Sequence, residues 1–427
     1  MTANGTGGGA ALGFTGAVDL ELRPIVDEEY PAWSRTIERA FGAQPSDQEI
    51  EDWRLVFERN RSLAVFDGPE IVATTGAVSF DLTLPGGTVT PVAGVTAVAV
   101  RTTHRRRGLL RALMERQLDD VSARGEALAI LTASESVIYG RFGYGPASSN
   151  AWCRMETAGT ELRRRPDPGG RLRQVEADEA GRAIPAVYDR ARTRHPGALS
   201  RSPRYWQRWF LDREPWRQGA SARFYVLHHD VDGTPDGYLA YRAKDGDWGH
   251  GLADGTVIVE ELDAVDDEVE AALWQYVLDI DLVRHVRAEA RPVDEPLRWR
   301  LADPRRLQTS AVFDHLWLRL LDVPAALSAR RYAVDATLVV DVRDPFRPAG
   351  EGRYVVEGGP EGAGCRPTDR EPDLTIGVAE LGSLYLGGVS ATTLARAGRV
   401  EARTPAVLRV ADAFFTSTPA PWCCTPF

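Results

Sequence analysis

VAVRTTHRRRGLLR, residues 98–111, is a short apolar strand that runs into a basic, glycine-containing turn and then opens a helix. Backbone N–H groups at a helix N-terminus have no partner within the helix, and the helix dipole favours negative charge there. Gly108 lets the backbone approach a ligand with no side chain in the way. Arg105, Arg106 and Arg107 add charge that does not titrate. The pattern predicts a seat for the pyrophosphate of a phosphorylated cofactor. A basic turn before a helix is by itself more often a solvated face, so the flanking sequence decides.

Upstream, Val92–Val100 is a β-rich run whose last residues, Val98, Ala99 and Val100, offer a strand edge to an extended ligand arm. Downstream, Leu109, Leu110, Leu113, Met114, Leu118 and Val121 keep a helical period, predicting a helix over Leu109–Arg124. A buried strand follows at Ala127–Leu131, ending at Ala133, Ser134 and Glu135, then a short helix over Ser136–Arg141 that holds Tyr139. Earlier still, the pattern predicts a strand at Val18–Pro24, a helix at Asp27–Phe41 capped by Asp27, a helix at Asp47–Phe57, and strands at Ser62–Phe66 and Ile71–Leu84. Ala147–Met155 reads as a further strand, and Arg163–Gly170 as a linker.

At 427 residues the chain is too long for one core and holds two to four domains. A second α/β segment, about 171–304, repeats the order of the first: strands at Ala222–His228, Gly237–Arg242 and Gly255–Leu262, a helix near Val269–Val277, and a strand near Leu282–Ala288. Between strand and helix it carries DAVDDEVEAAL, Asp263–Leu273, with no glycine at the turn and no basic residue. This reads as a duplicated fold that has lost its phosphate site. From Arg305 the pattern changes to α+β with a core of its own. Leu316–Leu321 and Val323–Arg330 read as helical, Ala336–Val342, Gly352–Glu357 and Asp373–Val378 as strands, and Leu381–Gly387, Ser390–Ala397 and Thr404–Phe415 as helices.

The net charge of −10 leaves no nucleic-acid footprint, so the basic run is a local exception. Cys153, Cys365, Cys423 and Cys424 have neither metal nor redox spacing, which makes a reducing cytoplasm the default and leaves no disulfide framework. MTANGTGGGAALGFTG, residues 1–16, lacks a charged start and a long apolar stretch; it reads as a flexible tail rather than a signal peptide. No run approaches the length of a membrane span.

The order strand, R-x-x-G turn, helix, strand, short helix with a tyrosine resembles the GNAT superfamily of acetyl-CoA-dependent N-acetyltransferases. The fuller strings VAVRTTHRRRGLLRALM and LTASESVIYGRFGYG, the second degenerate domain and the aromatic C-terminal residue are similar to the Eis (enhanced intracellular survival) family. The resemblance implies two tandem GNAT-like α/β domains, 17–165 and a degenerate 166–304, followed by a sterol carrier protein-like α+β domain, 305–427. It implies that acetyl-CoA is held by Val98, Ala99, Val100, Arg106, Arg107, Gly108, Leu109, Leu110, Arg111, Ser134 and Glu135, with no metal. It implies that Tyr139 is the general acid and the terminal carboxylate of Phe427 the general base. Leu110 stands where the broader pattern has glycine or alanine, and Arg101-Thr102 where a proline is expected. Polyamine or aminoglycoside acceptors and a homo-hexamer are further implications. Pro426 leaves no acidic side chain beside the terminus.

Elementary chemistry is compatible with those roles. Amine acetylation needs a deprotonated nucleophile, a polarised thioester carbonyl and a proton for the departing thiolate. A tyrosine, ordinarily near pKa ~10, can donate to a thiolate of about 8.5. A terminal carboxylate of about 3.5 serves as a base when burial raises it or when water relays the proton. A C-terminus is usually frayed, yet Pro419, Pro421, Trp422, Pro426 and Phe427 are stiff and aromatic, predicting a docked tail. Two other functions remain compatible with the sequence: acetylation of lysine in a protein or peptide, and lipid binding on a GNAT scaffold without turnover.

Overall fold

The computed structural model describes residues 10, 11, 20–246, 251 and 253–427. Three sheets of eight, seven and five strands organise them. The tail over 1–16 lies outside the described residues except for Ala10–Ala11, which pair antiparallel with Leu22 and Glu21.

In the first sheet, Leu20–Pro24, Leu63–Asp67, Glu70–Thr83 and Val89–Val100 form an antiparallel meander. Leu128–Thr132 lies parallel to Val89–Val100, in register at Ala93↔Ala129, Gly94↔Ile130 and Val95↔Leu131. Parallel neighbours need a crossover, and the helix Leu109–Ala123 supplies it, burying Leu109, Leu113, Met114, Leu118 and Val121 against the sheet. Before the meander's second strand, the 27–41 segment divides into a 3-10 turn, Asp27–Glu29, and a helix, Tyr30–Ala40. Glu29, not Asp27, reaches back to the Val26 N–H at 3.0 Å. The next helix, Asp47–Arg54, is capped by Ser46 and ends short of Phe57.

The second sheet repeats this plan. Arg171–Val175, Phe224–His229, Pro235–Lys244 and Gly255–Ala264 run antiparallel. Val283–Arg291 lies parallel to the last of them, with Asp267–Leu278 as crossover helix.

The sheets exchange strands. Ser149–Glu156 leaves the first sheet and pairs with Val283–Arg291 and Gln308–Asp314 in the second. In return, Leu316–Leu320 enters the first sheet between Leu128–Thr132 and Gly145–Pro146. The helix expected at Leu316–Leu321 is therefore a strand. All five residues of LWLRL are buried, and a short, fully buried run has no period to separate helix from strand. Its Arg319 is buried too, donating to the Phe142 carbonyl at 2.5 Å and pairing with Asp344 at 2.6 Å.

The third sheet, Gly362–Pro367, Gly352–Gly359, Ala336–Arg343, Leu374–Gly377 and Val400–Ala402 in spatial order, does not keep a separate core. One apolar cluster runs from Phe80, Leu82 and Ile130 of the first sheet through Leu318 to Val340, Leu384 and Phe414. Inside the third unit Tyr332 stacks on Phe414 at 3.8 Å, and Arg330 donates to the carbonyls of Tyr385 and Phe415.

Candidate functional site

Beyond Val95↔Leu131 the parallel strands of the first sheet part. The cause is local: the register between Thr74 and Gly76 shifts, so Ala97 and Val98 together face Thr75. Ala97 takes φ 56°, a strained value for an L residue that persists only where its surroundings hold it. They do. Thr74 Oγ1 donates to Ala97 O at 2.8 Å; buried Gln117 accepts from Thr75 Oγ1 at 2.5 Å and donates to Gly76 O at 2.7 Å. Past the bulge, Ala99 and Val100 stay paired on one side, opposite Thr74 and Ala73. Arg101 N donates to Val72 O at 2.9 Å. Donors alternate along a strand, so the Val100 N–H points into the opening.

The basic turn closes one end of that opening. Gly108 is the N-cap of the crossover helix at φ 80° and has no side chain to cap it, which leaves the first-turn N–H groups available to a ligand. The resulting cleft, about 920 Å³, is lined by Val98, Ala99, Val100, Arg106, Gly108, Leu109, Leu110 and Arg111, with Ser134, Glu135 and Tyr139 facing them. Arg107, named with this group from the resemblance, stays off the wall, and His104 and Arg105 line it instead. Arg105, Arg106 and Arg107 are exposed. An anionic ligand with several phosphates fits this donor set without further help.

A second cavity of about 440 Å³ adjoins the cleft and shares Phe41, Val98, Ser134 and Tyr139 with it. Its walls are largely aromatic, including Tyr30, Trp33, Trp53 and Phe80, and its floor holds Phe427. Tyr139 ends a four-residue helix, Ser136–Tyr139. Burial, then the nearby charge of Glu135, pushes its pKa above the ordinary tyrosine value, so it carries its proton at neutral pH.

Phe427 is brought there by a tail threaded between the first two units. Trp422 N donates to Pro196 O at 2.7 Å and Asn150 Nδ2 to Cys423 O at 2.9 Å. Thr425, fully buried, shares its hydroxyl with Tyr188 at 2.9 Å and receives Arg201 Nε at 3.0 Å. Tyr205 OH donates to Pro426 O at 3.0 Å. Arg201 is itself fixed by both oxygens of Glu261, at 2.8 and 3.1 Å, and by the face of Tyr188 at 4.0 Å. Burial raises the Cys423 thiol to about 12, so it packs as a small apolar group. The Phe427 ring ends 5.1 Å from that of Phe80. A Cβ on Gly94 would lie 2.6 Å from Phe80 and 3.1 Å from Phe427, so only glycine at this strand position admits both rings. Sequence reasoning found the tail but missed Tyr188, Arg201 and Tyr205, which sit in the domain read as degenerate; no local pattern marks them.

Comparison with known proteins agrees with this architecture. Residues 21–147 and 197–320 each match an acetyltransferase (GNAT) domain, and 323–424 a sterol carrier protein domain. An uncharacterised N-acetyltransferase of Streptomyces avermitilis is 41% identical over 404 residues, covering 94% of this chain and 98% of that one. The N-acetyltransferase Eis of Mycobacterium tuberculosis is 35% identical over 377 residues, 86% of this chain and 89% of its own. The crystal structure of Eis1 from Mycobacterium abscessus superposes with a TM-score of 0.85 at 35% identity, over 95% of this chain and all of that one. With its bulged and open first sheet, its duplicate and its third domain, the chain belongs to the Eis family of GNAT N-acetyltransferases.

Proposed function

We propose that this enzyme transfers acetyl directly from acetyl-CoA to the amine of a small molecule, with Tyr139 as general acid and the Phe427 carboxylate as general base. The observation that carries the proposal is the shared wall: Tyr139 lines both the cleft and the cavity, and the chain's last residue lines the cavity. Acetyl-CoA supplies the thioester, its pyrophosphate resting on the Gly108–Arg111 turn with Arg105 and Arg106 beside it. The Val100 N–H is available to the carbonyl oxygen. As the neutral amine nitrogen attacks the carbonyl carbon, a C–N bond forms and the C–S bond breaks. The nitrogen's proton passes to the Phe427 carboxylate, directly or through water, and the departing sulfur takes the Tyr139 proton. Free thiol and amide leave, and the two residues exchange their surplus and missing proton through solvent. Each group contributes about 10²–10⁴-fold by the usual measure of acid–base help.

The family resemblance names polyamines and aminoglycosides as acceptors and implies a cytoplasmic homo-hexamer, which sedimentation of the purified protein tests. The lipid-binding alternative is weakened by the third unit's interior, which is filled by Tyr332, Tyr385, Phe414 and the buried Arg330. The deciding assay is acetyl-CoA-dependent thiol release with a polyamine, an aminoglycoside and a lysine peptide, run with the native terminus and with residues appended to it. Equal rates for both forms remove Phe427 from the mechanism; no acetyl-CoA binding at all revives the lipid-binding alternative.

A further inference from the structure

We infer that the acceptor carries a carboxylate as well as its amine, and that Arg208 binds that carboxylate; the inference rests on the acetyl-transfer reading above. Arg208 lies on the helix Pro203–Trp209, one turn beyond Tyr205, and both side chains line the acceptor cavity. Its guanidinium carbon lies over Trp53, 3.5 Å from the ring centroid. Its Nε is buried with no hydrogen-bond partner, and no ion pair reaches it among the described residues. Of the arginines around it, Arg201 pairs with Glu261, Arg213 with Asp52, Arg217 with Asp212 and Arg223 with Glu260, while Arg204 on the same helix is exposed to solvent. Asp52, whose charge acts on Arg208, makes no hydrogen bond to it and is engaged by other donors. It takes Arg213 at 2.9 and 2.8 Å and Gln48 at 2.9 Å.

Charges shielded from water are normally paired. A planar guanidinium left unpaired on a cavity wall has the geometry to hold a carboxylate through two parallel donors. Contact with the Trp53 ring does not neutralise it. The remaining polar groups of the cavity offer little to a polycation. Glu58 is committed to the Ser79 N–H and hydroxyl, at 2.7 and 2.8 Å. Glu38 is the other side-chain carboxylate of the wall, and burial pushes its pKa up. The walls otherwise present aromatic faces. Among the described residues the cavity wall holds one guanidinium without an ion pair, the Glu38 carboxyl, the Phe427 carboxylate that takes the amine's proton, and an apolar surround; that set matches an apolar body bearing one amine and one carboxylate, as in an apolar amino acid.

The test uses two matched pairs of acceptors, phenylalanine against phenylalaninamide and para-(aminomethyl)benzoate against its amide, assayed by thiol release with the full chain and saturating acetyl-CoA. The pairs place the carboxylate at short and long separation from the amine. In at least one pair, kcat/KM favours the carboxylate by about tenfold or more. Arg208→Gln brings that ratio to about one, and Arg208→Lys restores part of it. Acetyl-CoA affinity, measured separately, shows whether each variant is folded. A wild-type preference for the amides in both pairs, or a ratio that Arg208→Gln leaves in place while acetyl-CoA still binds, overturns the inference. Thiol release with a polyamine but with neither carboxylate also overturns it while leaving the acetyl-transfer reading intact. The absence of release with every amine defeats that reading itself.

Discussion

The first two units share a plan and differ at one place, the fork where two parallel strands part. In the first unit the fork opens after Val95↔Leu131 and stays open. In the second, the parallel pairing runs to Val259↔Ala288, and Arg291 then fills the space. Its guanidinium donates to Leu262 O, Glu270 and Glu295 at 2.6, 2.6 and 2.7 Å, with the Trp422 ring 5.3 Å away. The crossover helices differ to match. Asp266 caps the second helix through its own carboxylate, accepting from Glu268 N and Val269 N at 2.9 Å, where Gly108 leaves the first helix uncapped. One fork thus keeps an uncapped helix start open to its cleft, and the other is a closed ion network. A fold does not make a site; the site lies in which donors are left without partners. The C-terminal tail joins the two, packing Trp422 over the closed fork and delivering Phe427 beside the open one.

The comparison breaks most sharply at the tail's end. Residues appended after Phe427 replace its carboxylate by an amide and should lower kcat by about a hundredfold or more, with acetyl-CoA affinity, read by titration, nearly unchanged. An unchanged kcat would mean that the tail merely packs. Tyr139→Phe should cost about a hundredfold in kcat and little in melting temperature, because the ring keeps its contact with Tyr144.

Acid should loosen the seat. His315 is held near pKa 4 by burial and lies against the Thr425 backbone. The unfolded chain protonates it near 6.5. Its contribution is therefore complete above that value and is lost as pH falls toward 4, amounting to about 2 kcal/mol by pH 5. Melting curves should show a smaller acid loss in His315→Gln than in the wild type.

The two helix starts separate last. Gly108→Val strains a left-handed position and crowds the cleft, raising the KM for acetyl-CoA by about tenfold. Asp266→Ala removes a cap worth about 1 kcal/mol and leaves that KM alone. A matching loss of acetyl-CoA affinity in Asp266→Ala would show that the second fork still serves the cofactor.

What the sequence made legible was local. The Gly108 turn, the Leu109–Ala123 helix and Tyr139 could be read because periodicity, capping and glycine placement act over a few residues. The stiff composition of the tail also announced a docked end. The exchange of Ser149–Glu156 for Leu316–Leu320 was not legible, since pairing partners so far apart in the chain leave no mark on either segment. The bulge at Ala97 was hidden for a related reason. Its strained φ is imposed by Thr74 and Gln117, and alanine gives no hint of it. Arg201 and Arg208 carry no local mark in the sequence; the fold places one under the tail and the other beside the cavity.

The tail also sets a clock. Thr425 and Arg201 lie 224 residues apart in sequence, and contacts so distant form late because the intervening loop must close first. The tail can therefore dock only after the two units that hold it, supplying Asn150 from one side and Tyr188 and Arg201 from the other, have come together. A chain whose tail has not yet docked lacks the Phe427 wall of the cavity, so the acceptor side of the site is the last part of the molecule to be completed.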